Sequence, residues 1–535
     1  MRQRKCAQLW PIVGMFFFAC VSPPLESPKT SVTQQTPVRV PQNIKDKVDI
    51  LFLVDNSNSM SAMTEELKNR FSQFLKVFQE LAASGKFVDL HIGVVTSDYG
   101  AGTGNAPGCT SSPGGQMGRL QAVGAAADAK CKPPKPVDGK TANYISYKFT
   151  GTDGSGVHNL PDGQDLVKTF TCMASAGAMG CGFEHQLEAV YAALHNNLPE
   201  NKDFLRNGED GSTSALLTVV FLTNEDDGSA PSSSDVFDKN KVAQYGYESS
   251  YRQTRWGVQC DGSSDAYKLA PYGDSGGPLA GCHAALNPSA APDNPGGGPG
   301  REYEISRYIN LFNNPSVSGG VKPNPADVIL VGIDAASDPF SVILSNPGTS
   351  GGAQYVTCPQ LNEGSNPPCV PVLQHSCQNP AQPSFFGDPA VRLNAVINAA
   401  NGGAAANHYI ASICDADYTP ALQAVAQKII VSLGGGCIVS PLPDPKNPDC
   451  TAQDVTRNLD GTTTSKTIPR CDGSNTYPCW KVHAKKLCGA VEDDGNCDQA
   501  TNPIAPQCLG VTIDRGGMQA PDNTEAQVAC TTVAG

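Results

Sequence analysis

Four apolar runs of strand length frame this chain: VDILFLV at 48–54, LHIGVVT at 90–96, LLTVVFLT at 216–223 and DVILVGID at 327–334, with a shorter HYIASIC at 408–414. They are near-continuous rather than alternating, the pattern of strands buried on both faces in a parallel sheet. Helical periodicity fills the gaps. Glu65 to Ala83 sets Leu67, Phe71, Phe74, Leu75 and Phe78 on one face, and Phe183 to Asn196 does the same with Leu187, Val190, Tyr191 and Leu194. Ile305 to Phe312, Val391 to Ala399 and Thr419 to Leu433 fit further helices. Strands alternating with helices imply an α/β fold, a mainly parallel Rossmann-like sheet flanked by helices with right-handed crossovers. This domain is expected over 46–435.

Tracts rich in Gly, Pro, Ser and cysteine interrupt the pattern near 100–165, 228–300 and 335–385, and read as long loop insertions. Arg2, Arg4 and Lys5 precede an apolar run from Leu9 to Ala19, so 1–19 reads as a signal peptide. No other stretch approaches the roughly 18 apolar residues of a membrane helix. FFAC at 17–20 resembles the lipobox of bacterial lipoproteins, which would make Cys20 the lipidation site and the lipid the only membrane contact. Simple secretory cleavage is the alternative. The first reading places the chain on a bacterial outer membrane or cell surface, the second in the periplasm or medium. From Cys20 to about 45, a Pro/Ser/Thr/Gln-rich stretch reads as a flexible tether.

Of 20 cysteines, setting aside Cys6 and Cys20 leaves an even number, and an exported chain pairs them. No CxxC pair occurs, so zinc is the poorer reading. Local staples are expected at Cys109 with Cys131, Cys260 with Cys282, and a pair among Cys358, Cys369 and Cys377. Eight cysteines crowd 436–535 among few apolar runs, which reads as a small disulfide-stapled module, β-rich from KVHA, GVTI and AQVAC. With a formal charge of −13 and no basic concentration, nucleic acid is excluded as a partner.

The first strand ends on Asp55-Asn56-Ser57-Asn58-Ser59-Met60. Ligands of open α/β sheets bind outside the carboxyl ends of the strands, where this loop must lie. Asp55, Ser57 and Ser59 alternate three short oxygen-bearing side chains, and one carboxylate with two hydroxyls suits a hard divalent cation: Mg²⁺ first, with Ca²⁺ or Mn²⁺ as alternatives. The other reading of the same residues is a helix N-cap.

VDILFLVDNSNSM resembles the opening of a von Willebrand factor type A domain, whose DxSxS forms a metal-ion-dependent adhesion site. The resemblance extends through the helix at 65–83, LHIGVVTSD and LLTVVFLTNEDD, and covers about 48–435. It implies direct metal contacts from Ser57 and Ser59, a water-mediated one from Asp55, and an open position filled by a carboxylate of a protein or cell-surface ligand. Two positions depart from that pattern. The second loop, GCGFEHQLEAVYAAL, lacks the expected threonine; Glu184 stands nearest, as a ligand or as a cap of the following helix. In the third loop Asn224 occupies the aspartate position, Asp226 is placed to take over, and Glu225 and Asp227 read as exposed loop acids.

GDSGGP at 273–278 matches the signature around a trypsin-like nucleophile, which would make Ser275 catalytic. It sits in one loop between Cys260 and Cys282, too small for a barrel domain, and turn chemistry alone writes such a string. His185 and His195 lie ten residues apart, not the four of a metalloprotease helix. The expectation is therefore a non-enzymatic, metal-dependent binding protein, with a metal-independent scaffold and a serine hydrolase as rivals.

Overall fold

The computed structural model describes residues 33–533 apart from 42–44, 84–85, 103–108, 110–114, 209–213, 242–249, 262–277, 286–300, 347–355, 359–361, 363–367, 406, 434–436, 439–441, 445–446, 458–461, 474–475, 485–508 and 517–523. The signal peptide, Cys20 and Ser275 lie outside the described residues.

Each apolar run is a strand. The runs form β2 (Lys47–Val54), β3 (Asp89–Thr96), β6 (Leu216–Leu222), β7 (Val328–Asp334) and β12 (His408–Ser412), all mutually parallel. With β4 (Ile145–Phe149) and β5 (Gly156–His158) the sheet has the order β12-β7-β6-β2-β3-β4-β5. Residues 144–149, YISYKF, were expected inside a loop insertion; their apolar alternation instead suits a strand, and β4 and β5 extend the sheet antiparallel. Register aligns Val54 with Thr96 and Leu222, Leu222 with Ile333, and Asp334 with Ser412. One edge of the sheet therefore collects the carboxyl ends of all five parallel strands.

Both faces are covered, because alternate residues of each buried strand need an apolar partner. On one face Ile50, Phe52 and Val54 pack on α1 (Ser61–Ala83), α2 (Leu166–Ala174) and α6 (Thr419–Ser432). Phe52 meets Phe170 at 4.9 Å, and Phe71 stacks on Phe170. On the other face Leu51, Leu53 and Phe221 pack on α3 (Gln186–His195), α4 (Ser306–Asn313) and α5 (Val391–Asn398). No helix among the described residues is long and apolar enough to cross a membrane.

The amino ends of the strands are closed by a balanced ion network. Asp49 is fully buried in β2, where Arg206 Nε reaches its Oδ1 at 2.8 Å and Lys322 Nζ its Oδ2 at 3.3 Å. Arg206 also pairs with Asp89, and Lys45 pairs with Asp327. Asp49, Asp89 and Asp327 each have a cation. The opposite edge is not matched in this way.

Cys260–Cys282 and Cys358–Cys369 pair as expected. Cys109, however, pairs with Cys181, and Cys131 with Cys172. The segment after residue 115 folds back along α2, with Gly124 N donating to Cys172 O and Ala126 N to Ser175 O, so Cys131 arrives beside Cys172 and not Cys109. The third insertion is also stapled to the sheet. It contains the hairpin of β8 (Ser341–Asn346) and β9 (Val370–Gln374) and the pair β10 (Cys377–Gln378) and β11 (Phe386–Gly387), and Cys377 bonds Cys414 just after β12. Such bonding belongs to an oxidising compartment.

Beyond α6 the chain is β-structure. β14 (Cys450–Arg457), β15 (Thr463–Ile468) and β18 (Thr524–Val533) form one antiparallel sheet; β13 (Cys437–Ile438), β16 (Cys479–Ala484) and β17 (Leu509–Asp514) form another. The expected tether is a strand over part of its length. Thr33–Pro41 forms β1 and pairs antiparallel with β18, whose otherwise open edge satisfies its backbone groups.

Candidate metal centre

Three loops leave the crowded sheet edge side by side. After β2, Asp55 turns inward, fully buried, and accepts three hydrogen bonds: Ser57 N at 2.8 Å and Ser97 Oγ at 2.8 Å on Oδ1, Thr223 Oγ1 at 2.8 Å on Oδ2. Burial raises its pKa, and those donors oppose the rise. One loop residue is thus pinned by the next two loops. Ser57 beside it is buried, and Ser59 is partly exposed.

Ser57 Oγ and Ser59 Oγ lie 3.2 Å apart, and Ser59 Oγ donates to Asn224 Oδ1 at 2.9 Å. Ser57 precedes the short turn Asn58–Met60 and makes no side-chain capping bond, so the helix-cap reading of the hydroxyls does not describe this loop. Ser57, Ser59 and Asn224 form one row of oxygens. The structure brings these three side chains together.

Around the row stand carboxyls. Glu184 is buried, and its carboxyl hydrogen-bonds that of Glu225; burial, then the charges of Glu184, Asp388 and Asp55, raise Glu225 well above the usual carboxylate range. Two carboxyls sharing a bond require a proton or a cation between them. Glu184 does not cap α3. That helix takes its acceptors from the β6 loop, with Leu187 N donating to Asp227 Oδ1 at 2.9 Å and Glu188 N to Ser229 Oγ at 3.0 Å.

Asp226 and Asp227 are the correction at this edge. Asp226 was placed by sequence as a substitute ligand, but its Oδ1 accepts from Arg392 N and Leu393 N, both at 3.0 Å, at the head of α5. A free helix N-terminus is a strong competitor for a carboxylate. Asp227, expected as an exposed acid, is fully buried between α3 and the Arg392 guanidinium, whose Nη2 lies 3.1 Å from Oδ2. Glu225 likewise is only partly exposed.

Ser97, Thr223, Gln186, Asp388 and His375 were not singled out from sequence. Gln186 Nε2 donates to Thr223 Oγ1 at 2.9 Å, extending the support behind Asp55. Asp388 arrives from the third insertion, its N donating to Asn224 O at 2.8 Å and its Oδ1 2.6 Å from His375 Nδ1. Ser97 and Thr223 each stand just past a strand's end, so the rule that placed Ser57 would have found them. Asp388 carries no such signal.

The donor set fits a hard cation. It offers hydroxyl, amide and carboxyl oxygens, no thiolate, and more carboxyls than nearby cations. Among the described residues no three His, Cys, Asp or Glu side chains group as a metal cage, which leaves the neutral oxygens of Ser57, Ser59 and Asn224 as the core of any site here.

No protein-family model and no curated protein matches the chain by sequence. Among solved structures, the chain is similar to the pilus adhesin SpaC from Lactobacillus rhamnosus GG in its open conformation, at 11% identity and a TM-score of 0.28, covering 95% of this chain and 41% of that one. The pilus adhesin RrgA from Streptococcus pneumoniae matches at 10% identity and a TM-score of 0.28, covering 94% of this chain and 58% of that one. The chain therefore spans about half the length of these structures. Overlap this low carries no inference about function.

Proposed function

We propose that this is an exported binding protein of von Willebrand factor type A architecture, which uses a divalent cation at its sheet edge to hold a protein or cell-surface ligand. The observation that carries the reading is the oxygen row Ser57–Ser59–Asn224 set over a buried Asp55. Ser57, Ser59 and Asn224 hold the cation, Mg²⁺ first by donor chemistry; Asp55 orients the loop, and Glu184 with Glu225 supplies negative charge. The cation, when bound, offers a partner's carboxylate an electrophilic contact. The chain's own task is positional: Ser97 and Thr223 fix Asp55, and Asp55 fixes the main chain at Ser57.

Glu184 and Glu225 make this edge more negative than serines and a threonine would. An acidic partner is then repelled until the cation is in place, which makes binding strictly metal-dependent. In this reading no residue does covalent chemistry, and an N-terminal lipid on Cys20 anchors the protein.

Isothermal titration of the full chain with Mg²⁺, Ca²⁺ and Mn²⁺ is the test. The expected result is one saturable site at the edge, lost in Asp55→Ala, which removes the group that organises the loop. Absence of heat for all three ions in the wild-type protein would sink the proposal in favour of a metal-independent scaffold.

A further inference from the structure

The loop between α2 and α3 reads ASAGAMGCGF at 174–183 and carries no charged side chain. It is fastened on both sides of its tip. Ser175 O accepts from Ala126 N at 2.9 Å, Gly180 N donates to Asn56 O at 2.9 Å, Cys181 is bonded to Cys109, and Phe183 packs edge-on against Phe237 with ring centroids 5.2 Å apart. The approach to the metal loop is close enough to require glycine. A Cβ on Gly180 would lie 2.3 Å from Oδ1 of Asn56, the buried residue between Asp55 and Ser57. Met179, one Cα step of about 3.8 Å from Gly180, is 78% exposed.

Single exposed apolar residues are ordinary on a protein surface, so position has to set this one apart. The other large ones among the described residues stand elsewhere. Phe87 precedes β3, Val157 pairs with Lys148 level with Asp89 at the start of β3, and Val317 lies in the turn closed by Ser316 N on Lys322 O, beside Asp49. All three belong to the amino ends of the strands. Tyr477 precedes β16 in the C-terminal sheets. Met179 alone among them stands at the carboxyl edge, and its loop is already held in place, so using it in binding costs little ordering.

We propose that Met179 is a partner contact of the metal edge, and that the partner is a protein segment whose cation-bound carboxylate is flanked by an apolar side chain. The inference rests on the reading of the edge as a cation-dependent carboxylate site. Glu184, Glu225 and Asp388 stand around that site and repel any further acid. On the Met179 side the loop offers no charge to pair with, so a polar flanking residue would lose water without compensation. An apolar one gains contact with a thioether chain that adapts its shape, the kind of residue enriched at interfaces.

Two end-blocked peptides, Gly-Leu-Asp-Leu-Gly and Gly-Ser-Asp-Ser-Gly, test this on the full chain in saturating Mg²⁺. Affinities come from isothermal titration, and contact is read from the methyl signals of ¹³C-methionine-labelled protein, where loss of one signal in Met179→Ala identifies Met179. The leucine peptide is expected to bind about tenfold tighter than the serine peptide, to shift the Met179 methyl, and to lose its advantage in Met179→Ala. Equal affinity for the two peptides, or a leucine preference that survives Met179→Ala, would overturn the inference and leave the carboxylate site standing. Binding of neither peptide would overturn the carboxylate site itself, and the inference with it.

Discussion

Arg392→Met is expected to cost about 3–5 kcal/mol of folding stability, the range found when one partner of a buried ion pair is removed. The side chain is buried with the carboxylates it serves: Nη2 lies 3.1 Å from Asp227 Oδ2, Nε lies 3.3 Å from Glu302 Oε2, and Nη2 also donates to Tyr303 O at 2.8 Å. Methionine keeps most of the stem's volume, so the cost is electrostatic rather than a cavity. Asp227 and Glu302 would remain in a low-dielectric layer with no counter-charge. Burial raises Glu302 well above the normal carboxylate range and the guanidinium opposes that rise, so its removal drives Glu302 further toward the neutral acid and limits the loss. Denaturant unfolding measures the difference. A change below about 1 kcal/mol, the range of exposed pairs, would show that this guanidinium does not organise the edge.

A comparable effect is expected from removing the Cys450–Cys530 bond. The two cysteines sit directly opposite in the β14–β18 register, and they close a loop with a sequence separation of 80. Chain entropy alone assigns a closure of that length about 4.5 kcal/mol. The surrounding core is small: Ile468, Trp480, Val511, Ala526 and Val528. Without the bond it has little to hold β18, and β1 with it, in place. The Cys450→Ala/Cys530→Ala protein should therefore show a separate, lower-temperature transition for the C-terminal sheets, while metal titration at the Ser57 edge stays as in the wild type. A single unshifted transition would mean the sheets are held by the α/β domain instead.

The parallel sheet was legible because burial on both faces leaves a direct mark, an apolar run such as VDILFLV or LLTVVFLT that has no other stable home. The helices followed from periodicity except α2 (Leu166–Ala174), which was not expected, and some ends were close: α5 runs Val391–Asn398 against an expected Val391–Ala399. The site was legible where its residues are local, as with Asp55, Ser57 and Ser59. It was illegible where tertiary geometry decides between rivals. Asp226 and Asp227 look like a loop's surface acids in LTNEDDG, and nothing in that string says that two helix N-termini and an arginine converge on them. Cys109 and Cys131 are neighbours in sequence, but pairing follows the fold of residues 115–131 back onto α2. β1 was missed because its ladder partner lies at the far end of the chain, at Thr524–Val533.

The contrast between the two ends of the sheet underlies the whole account. At the amino ends Asp49 and Asp89 are matched by Arg206 and Lys322; at the carboxyl ends Asp55, Glu184 and Glu225 crowd a row of neutral oxygens. The most direct measurement is anomalous diffraction at the manganese edge from crystals of the protein grown with Mn²⁺. The account predicts a peak within bonding distance of Ser57 Oγ, Ser59 Oγ and Asn224 Oδ1. No peak at that edge, or manganese bound only elsewhere on the molecule, would contradict it.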